Sequence, residues 1–253
     1  MPPKANQDTA IYVPEINPGE ITINVLGMSP IIMNRLSEKA KRELLMPKGR
    51  KTAADKAQNL KHDPIAEFKA SPYVLPAGSP AYLGVMSSAF KKAMMTAALD
   101  LPGTNKRQIG RLLYVAGEFT AIYGVPKLLT SVTRSADMNR TPDIRTRAIV
   151  PQWAARVTVH FITSTLNPQS ITNLMTAAGM TSGVGDWRPE KGSGSYGTFT
   201  VVPEGFDAFD EIVANGGYDA QYEAMQAPEY YNDETAELLE WYAEEIVKRG
   251  KAA

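Results

Sequence analysis

The 253-residue sequence contains no cysteine and only two histidines, His62 and His160. The absence of cysteine excludes disulfides, thiolate metal sites and a cysteine nucleophile. No GxxxxGK[ST] phosphate loop, HExxH zinc motif or GxSxG nucleophile elbow occurs. His62 lies in a basic segment, where a ribonuclease base is conceivable but a surface histidine without a role is favoured. We therefore expect no catalytic residue, no metal site and no cofactor.

Long apolar segments are also missing. No run approaches the roughly 20 apolar residues that a membrane-spanning helix needs. The N-terminal sequence MPPKANQDTA lacks the apolar segment of a secretory signal. We expect a cytoplasmic protein that does not bind membranes.

Charge is balanced over the whole chain but separated along it. The formal net charge is zero, yet residues 204–253 hold 13 acidic and 3 basic residues. The first 203 residues hold 24 basic and 14 acidic residues. This asymmetry indicates a basic body that binds a polyanion and an acidic extension. The alternative is that the acidic segment only keeps the protein soluble.

Hydrophobic periodicity and composition divide the chain into three parts. We predict an extended N-terminal arm (1–18), a basic domain (19–203) with a mobile basic insertion at about 47–62, and an acidic C-terminal extension (204–253). Strands dominate the middle of the basic domain, and a helix follows them. This order predicts an α+β fold. The expected architecture is a ferredoxin-like or RNA-recognition-like antiparallel sheet with helices on one face, loop insertions and a C-terminal acidic helix.

Four segments give local predictions. LLYVAGEFTAIYG alternates as one strand that a glycine ends, and SPYVLPAGSPAYLGV, with its prolines and no period, is predicted to be irregular. NPQSITNLMTAAGM is predicted to be a helix with Gly179 just beyond its last turn. NDETAELLEWYAEEIVKRG is predicted to be an acidic amphipathic helix capped by Asn232 or Asp233.

A glycine-rich segment, GVGDWRPEKGSGSYGTF, spans residues 183–199 and contains five glycines. Glycine allows main chain to approach a ligand closely. The backbone amides are then free to contact phosphates, Arg188 and Lys191 supply charge, and Trp187 and Tyr196 stack on bases. The alternative is a long hairpin whose Trp187 packs against the core.

Basic residues elsewhere give further candidates for phosphate contacts. The segment 35–61 holds 9 basic and 3 acidic residues, and part of it is typical of a solvated helix with local ion pairs. Arg145 and Arg147 lie two apart on a predicted strand and repel each other unless an anion or carboxylates lie opposite. The candidate nucleic-acid-binding residues are Arg35, Lys39, Arg42, Lys48, Arg50, Lys51, Lys91, Lys92, Arg145, Arg147, Gly183, Gly185, Trp187, Arg188, Lys191 and Tyr196.

Four segments together resemble a family of tailed-bacteriophage proteins, some of which are labelled structural proteins. The segments are MSPIIMNRLSEKAKRELL, AFKKAMMTAA, RTRAIVPQWAARV and AAGMTSGVGDWRPEKGSGSYGTF. The resemblance spans roughly residues 20–202, and its last segment is the most specific. It implies a phage-encoded protein in the host cytoplasm or in the virion.

The glycine-rich segment also resembles, more distantly, the glycine-rich loop of the RAMP superfamily of CRISPR effector subunits. A helix is followed by Gly183 and Gly185, a segment with Arg188 and Lys191, and then Gly194 and Gly197 before a strand. The insertion between the glycine pairs is longer than in the compact form of that loop. The resemblance implies a ferredoxin-like fold and a non-catalytic, crRNA-backbone type of subunit that assembles side by side along a strand.

These observations favour a phage-encoded protein that binds single-stranded RNA or DNA without cleaving it and forms a homo-oligomer. The acidic extension is expected to compete for the basic surface or to recruit a phage or host protein. One alternative is a virion or assembly structural protein. Another is a nuclease that uses His62, or carboxylates with a divalent metal.

Overall fold

The computed structural model describes residues 15–36, 41, 44–46, 62–134, 142–191 and 194–248. Within these ranges the strands are β1 (Pro18–Gly27), β2 (Ile31–Ile32), β3 (Tyr73–Val74), β4 (Leu83–Met86), β5 (Leu113–Val115), β6 (Phe119–Ala121), β7 (Lys127–Arg134), β8 (Pro142–Val150), β9 (Ala154–Ile162) and β10 (Phe199–Val202). The helices are α1 (Pro64–Ala70), α2 (Ser88–Ala97), α3 (Lys106–Leu112), α4 (Pro168–Thr181), α5 (Asp207–Asn215), α6 (Tyr218–Gln226) and α7 (Asp233–Lys248).

A four-stranded sheet with the order β10-β1-β9-β5 forms the centre of the molecule. Each neighbouring pair is antiparallel. Along the chain the elements β1, α2, β5, β9, α4 and β10 follow the β-α-β-β-α-β order of a ferredoxin-like unit. The α+β fold with an antiparallel sheet is therefore confirmed.

Alternating burial explains why these strands have one face in the core. In β1, Ile23 and Val25 are buried, and in β9 Val157, Val159 and Phe161 are buried, while the residues between them are more exposed. Helices α2 and α4 bury apolar side chains in the same core cluster, so both lie against one face of the sheet. The opposite face carries the alternate residues of each strand.

Two smaller three-stranded sheets are inserted into this unit. One has the order β2-β8-β7 and the other β3-β4-β6. The long β7–β8 hairpin and β6 lie between β5 and β9, so the insertion separates two strands that a minimal ferredoxin-like unit joins directly. Helix α1 packs its buried Phe68 into the main core.

Three local predictions are wrong for identifiable reasons. The segment 112–124 forms two strands in different sheets, because Gly117, with φ +74°, turns the chain between β5 and β6. The segment 71–85 contains the paired strands β3 and β4. Helix α4 continues past Gly179, where a Cβ would lie 2.0 Å from the carbonyl oxygen of Phe199. Glycine is required there for close helix–strand packing.

The C-terminal extension contains two helices, α5 and α6, before the predicted acidic helix α7. The side chain of Asn232 accepts from the amide of Thr235, so Asn232 rather than Asp233 caps α7. The three helices bury Phe209, Met225 and Leu239 against the rest of the chain. The division of the chain at residues 18 and 203 remains a prediction.

Gln221 joins α6 to the sheet β3-β4-β6 through four buried hydrogen bonds. Its Oε1 accepts from the amides of Tyr82 at 2.8 Å and Leu83 at 2.9 Å. Its Nε2 donates to the carbonyl oxygens of Ile122 at 2.7 Å and Gly124 at 2.8 Å. Every polar position of this fully buried amide is satisfied, so it fixes the extension to the body.

We predict that Gln221→Leu lowers the free energy of unfolding by about 3 kcal/mol, because it leaves buried main-chain groups without partners. Gln221→Glu should cost at least as much at neutral pH, since an ionised carboxylate cannot donate to the two carbonyls. Urea denaturation measures both. The exposed Gln226→Ala in the same helix is the control and should change stability by less than about 0.5 kcal/mol. Equal, small effects at both positions would contradict the prediction.

Candidate nucleic-acid interface

The glycine-rich segment lies between the end of α4 and the start of β10, and the structure describes its residues 183–191 and 194–199. Gly183, Gly185 and Gly197 have φ values of +64°, +84° and +68°. Trp187, with φ +50°, also lies in the left-handed region, which a non-glycine residue adopts only at an energetic cost. A short 3-10 helix, Pro189–Lys191, follows. The predicted position of the segment between a helix and a strand is therefore correct.

Close main-chain contacts hold the two halves of the segment together. A Cβ on Gly197 would lie 1.7 Å from the carbonyl oxygen of Val184, and one on Gly194 would lie 1.8 Å from that of Trp187. No side chain fits at either position. These glycines are used for packing within the protein.

The amides of the segment are largely engaged in the fold. Seven of them donate to main-chain carbonyl oxygens: those of Gly183, Val184, Asp186, Glu190, Lys191, Tyr196 and Gly197. The amides of Asp186 and Gly197 reach Ile32 and Pro30, so the segment is also fastened to the chain beside β2. These seven amides are already engaged within the protein, so the predicted phosphate contacts in this region would fall to side chains.

Trp187 and Tyr196 lie together, with ring centroids 6.1 Å apart. Both are half-buried and pack against the cluster of Ile32, Leu129 and Ile149. This arrangement matches the alternative in which Trp187 contributes to the core. Their role as base-stacking residues remains a prediction.

The two strand arginines face carboxylates. Arg145 Nε lies 3.2 Å from Asp143 Oδ2, and Arg147 donates to Asp186. Burial lowers the pKa of Arg147 below its usual range, although Asp186 acts in the opposite direction. The sequence left open whether an anion or carboxylates offset the repulsion between Arg145 and Arg147. The described structure has a carboxylate beside each of them. Arg147 thereby connects β8 to the glycine-rich segment.

Arg188 is held on the protein surface by Glu190. Its Nη2 and Nε donate to Glu190 Oε2 at 2.8 and 3.0 Å, and its Nη1 donates to the carbonyl oxygen of Gly185. Thr96 of α2 donates to Glu190 Oε1 at 3.2 Å, and Lys106 donates to the Thr96 hydroxyl at 3.3 Å. The glycine-rich segment, α2 and the start of α3 thus meet around one carboxylate.

The direction of the pKa shift of Glu190 shows which charge predominates around its carboxylate. Burial alone would raise it, but the hydrogen bond and charge of Arg188, together with Thr96 and Lys191, lower it below the usual value. Cations therefore dominate the surroundings of Glu190. Lys92 lies one helical turn before Thr96 on the same face of α2.

Helix α3 extends this region with basic residues that sequence reasoning missed. Arg107 and Arg111 are exposed and lie one turn apart. Each is two residues from the buried Ile109, which is a rotation of about 200° around the helix axis, so both lie on the side of the helix away from Ile109. We call the group formed by Lys92, Lys106, Arg107, Arg111 and Lys191 the α3 basic surface. Within the described ranges, none of the five forms an ion pair. The sequence signal was NKRQIGRLLY, in which three basic residues occur without an acidic one.

The remaining candidates are scattered. Lys91 is half-buried on α2, and the guanidinium carbon of Arg35 lies 5.8 Å from the ring centre of Tyr73. Five predicted residues lie outside the described residues: Lys39, Arg42, Lys48, Arg50 and Lys51.

His62 lies between two carboxylates. Its Nδ1 is 2.8 Å from Glu67 Oε1, and its Nε2 is 3.2 Å from Asp143 Oδ1. No three His, Asp or Glu side chains in the described part of the chain are arranged to hold a metal ion. No helix within the described ranges is long and apolar enough to cross a membrane.

Comparison with known proteins gives structural matches only. No protein-family model matches the chain, and no curated protein matches its sequence. The crystal structure of Cmr6 from Pyrococcus furiosus matches with a TM-score of 0.38 and 10% identity, over 74% of this chain and 98% of that one. The cryo-EM structure of the type III-B Cmr-beta complex bound to cognate target RNA matches with a TM-score of 0.38 and 12% identity, over 74% and 59%.

At these TM-scores the two neighbours do not establish the resemblance of the glycine-rich segment to the RAMP superfamily, and they do not test the resemblance to tailed-bacteriophage proteins. Because both TM-scores are below 0.5, nothing about the function of this chain follows from either likeness. The functional assignment therefore rests on the residues of the interface.

The close contact at Gly197 gives a testable prediction. Gly197→Ala should lower the free energy of unfolding by more than about 3 kcal/mol, because it adds a main-chain clash to the strain of a positive φ. Gly205→Ala is the matched control: φ is +74° there, but nothing lies within 4 Å of the added Cβ. It should cost only about 1 kcal/mol. Equal costs in urea denaturation would show that the close approach contributes nothing.

Proposed function

We propose that this protein binds single-stranded nucleic acid, RNA or DNA, without cleaving it. The observation that carries the proposal is the α3 basic surface, whose five cations come from three separate segments and form no ion pair within the described residues. Lys106 reaches Glu190 through Thr96, and Lys191 adds positive charge beside that carboxylate. Unpaired cations on a rigid surface bind the phosphates of a polyanion, since binding releases condensed counterions.

Helix α3 has two unfavourable arrangements of charge, and both support a ligand of negative charge. Its first turn carries Lys106 and Arg107 and no acidic residue, which opposes the helix macrodipole. Arg107 and Arg111 form a like-charge pair one turn apart, which also destabilises a helix. A bound phosphate backbone would neutralise both unfavourable terms.

The proposal includes assembly of several copies along one strand in the host cytoplasm, in keeping with the resemblance to a phage family. The acidic extension supplies a surface of opposite charge, because Glu237, Glu240 and Glu244 are exposed on α7. It receives a phage or host protein, or competes with nucleic acid for the basic surface of a second copy.

We predict that replacing Lys92, Arg107 and Arg111 together by glutamine weakens binding of a single-stranded oligonucleotide at least about tenfold at low salt. The slope of log affinity against log salt should become shallower by about 2, since each lost phosphate contact contributes about 0.7 for a single strand. Fluorescence anisotropy at several salt concentrations measures both quantities. All three residues leave the hydrogen bonds of Glu190 in place.

The control is Lys69→Gln with Lys248→Gln, two exposed cations outside the α3 basic surface, which should leave the slope nearly unchanged. The oligonucleotide should also stay intact with magnesium or manganese; cleavage that a chelator abolishes would favour a nuclease instead. Absence of binding by the unmodified protein at about 50 mM salt, where phosphate contacts are strong, would overturn the proposal.

A further inference from the structure

The face of the four-stranded sheet opposite α2 and α4 carries an aromatic pair at its β5 edge. Leu113 and Val115 of β5 are buried in the main core, so Tyr114 between them points to the other face. Tyr114 stacks on His160 of β9, with ring centroids 4.7 Å apart and an interplanar angle of 17°. Even so, 56% of Tyr114 is exposed. More than half of the surface of Tyr114 is therefore open to solvent although its ring is held by His160.

Neighbouring strands hold the pair in place. Tyr114 is the cross-strand partner of His160, and His160 is the partner of Glu20 on β1. The imidazole Nδ1 of His160 lies 3.4 Å from Glu20 Oε2. In the next row, the hydroxyls of Thr22 and Thr158 are 2.9 Å apart. The aromatic pair therefore sits on a regular sheet surface with fixed polar neighbours, which is a preorganised arrangement.

The other end of this face is covered. Helix α5 packs Phe209 against Ala154 and Val202, and the guanidinium of Arg156 lies 5.4 Å from the Phe209 ring centre. The rows of Tyr114 and Thr158 lie at the end of the face away from Phe209, and Tyr114 there offers a ring for a single planar group.

The α3 basic surface is close in sequence to the aromatic pair of Tyr114 and His160. Arg111 precedes Tyr114 by three residues, so their Cα atoms are at most about 11 Å apart. Because Ile109 of α3 packs into the core on the α2 side of the sheet, a strand held by Arg107 and Arg111 would pass around the β5 edge to bring a base to the Tyr114 ring. The carboxylate of Glu20 disfavours a phosphate in that row, so a base is the part of the nucleotide that fits there.

We propose that the exposed ring of Tyr114, supported by His160, is a stacking site for one nucleobase of the strand bound at the α3 basic surface. The inference rests on the proposed function and adds a base-binding position that the sequence did not indicate. Stacking of this kind is tolerant of base identity, because every base has a flat π-face.

The test compares Tyr114→Leu with Tyr114→Phe on two probes of equal length, a uridine-rich RNA and the same backbone with abasic residues. The experiment is repeated with thymidine-rich DNA. Tyr114→Leu should bind the base-bearing strand about tenfold more weakly, while Tyr114→Phe retains affinity. On the abasic strand the two variants and the unmodified protein should bind alike. Because Tyr114 is exposed, a urea midpoint close to that of the unmodified protein confirms that each variant is folded.

The outcomes separate the two proposals. If the unmodified protein binds neither probe, the proposed function fails. If Tyr114→Leu has no effect, or weakens binding to both probes equally, the function stands and the stacking site is wrong. As an independent measurement, ultraviolet crosslinking of a strand with 5-iodouridine should modify the peptide that contains Tyr114; modification only elsewhere would overturn the inference.

Discussion

The candidate interface depends on the close approach of main chain within the glycine-rich segment. Gly197 admits the carbonyl oxygen of Val184, and Gly179 admits that of Phe199, so α4, the segment and β10 pack without intervening side chains. The 3-10 helix is fixed by this contact, which places Arg188 and Glu190 against α2. In the proposed function the glycines therefore act on ligand binding indirectly, since they set the position of charged side chains rather than contacting phosphate themselves.

The acidic part of the sequence has a fixed position in the fold. The acidic extension is attached by apolar anchors and by the fully satisfied amide of Gln221, so it is part of the packed structure. One of its helices, α5, covers one end of the open sheet face with Phe209. The extension therefore limits where a polyanion can lie, in addition to contributing negative charge.

Much of the fold was predictable because it follows from local pattern. Apolar residues alternate in EITINVLGM and in AARVTVHFITS, which predicts β1 and β9, and the pattern of NPQSITNLMTAAGM predicts α4. The division of segment 112–124 into β5 and β6 at Gly117 was not predictable, because apolar residues continue to alternate through the turn and only the partner strand changes. The site was only partly predictable. Lys191 was a candidate from the sequence and belongs to the α3 basic surface. Asp143, beside Arg145, lies two residues earlier on the same strand, whereas Asp186, beside Arg147, is brought there by packing of the distant glycine-rich segment.

Helix α3 carries charges that lower its own stability. Opposing the macrodipole and pairing like charges cost about 1 kcal/mol together in a helix of seven residues. Asn105 offsets part of this cost by capping the amides of Arg107 and Gln108, and the buried Ile109 supplies the rest through packing. A sequence that keeps unfavourable charges on a helix and stabilises it by other means is typical of a functional surface. Since Arg107 and Arg111 are exposed and form no ion pair within the described chain, the proposed ligand of opposite charge would supply the missing term in their energy balance.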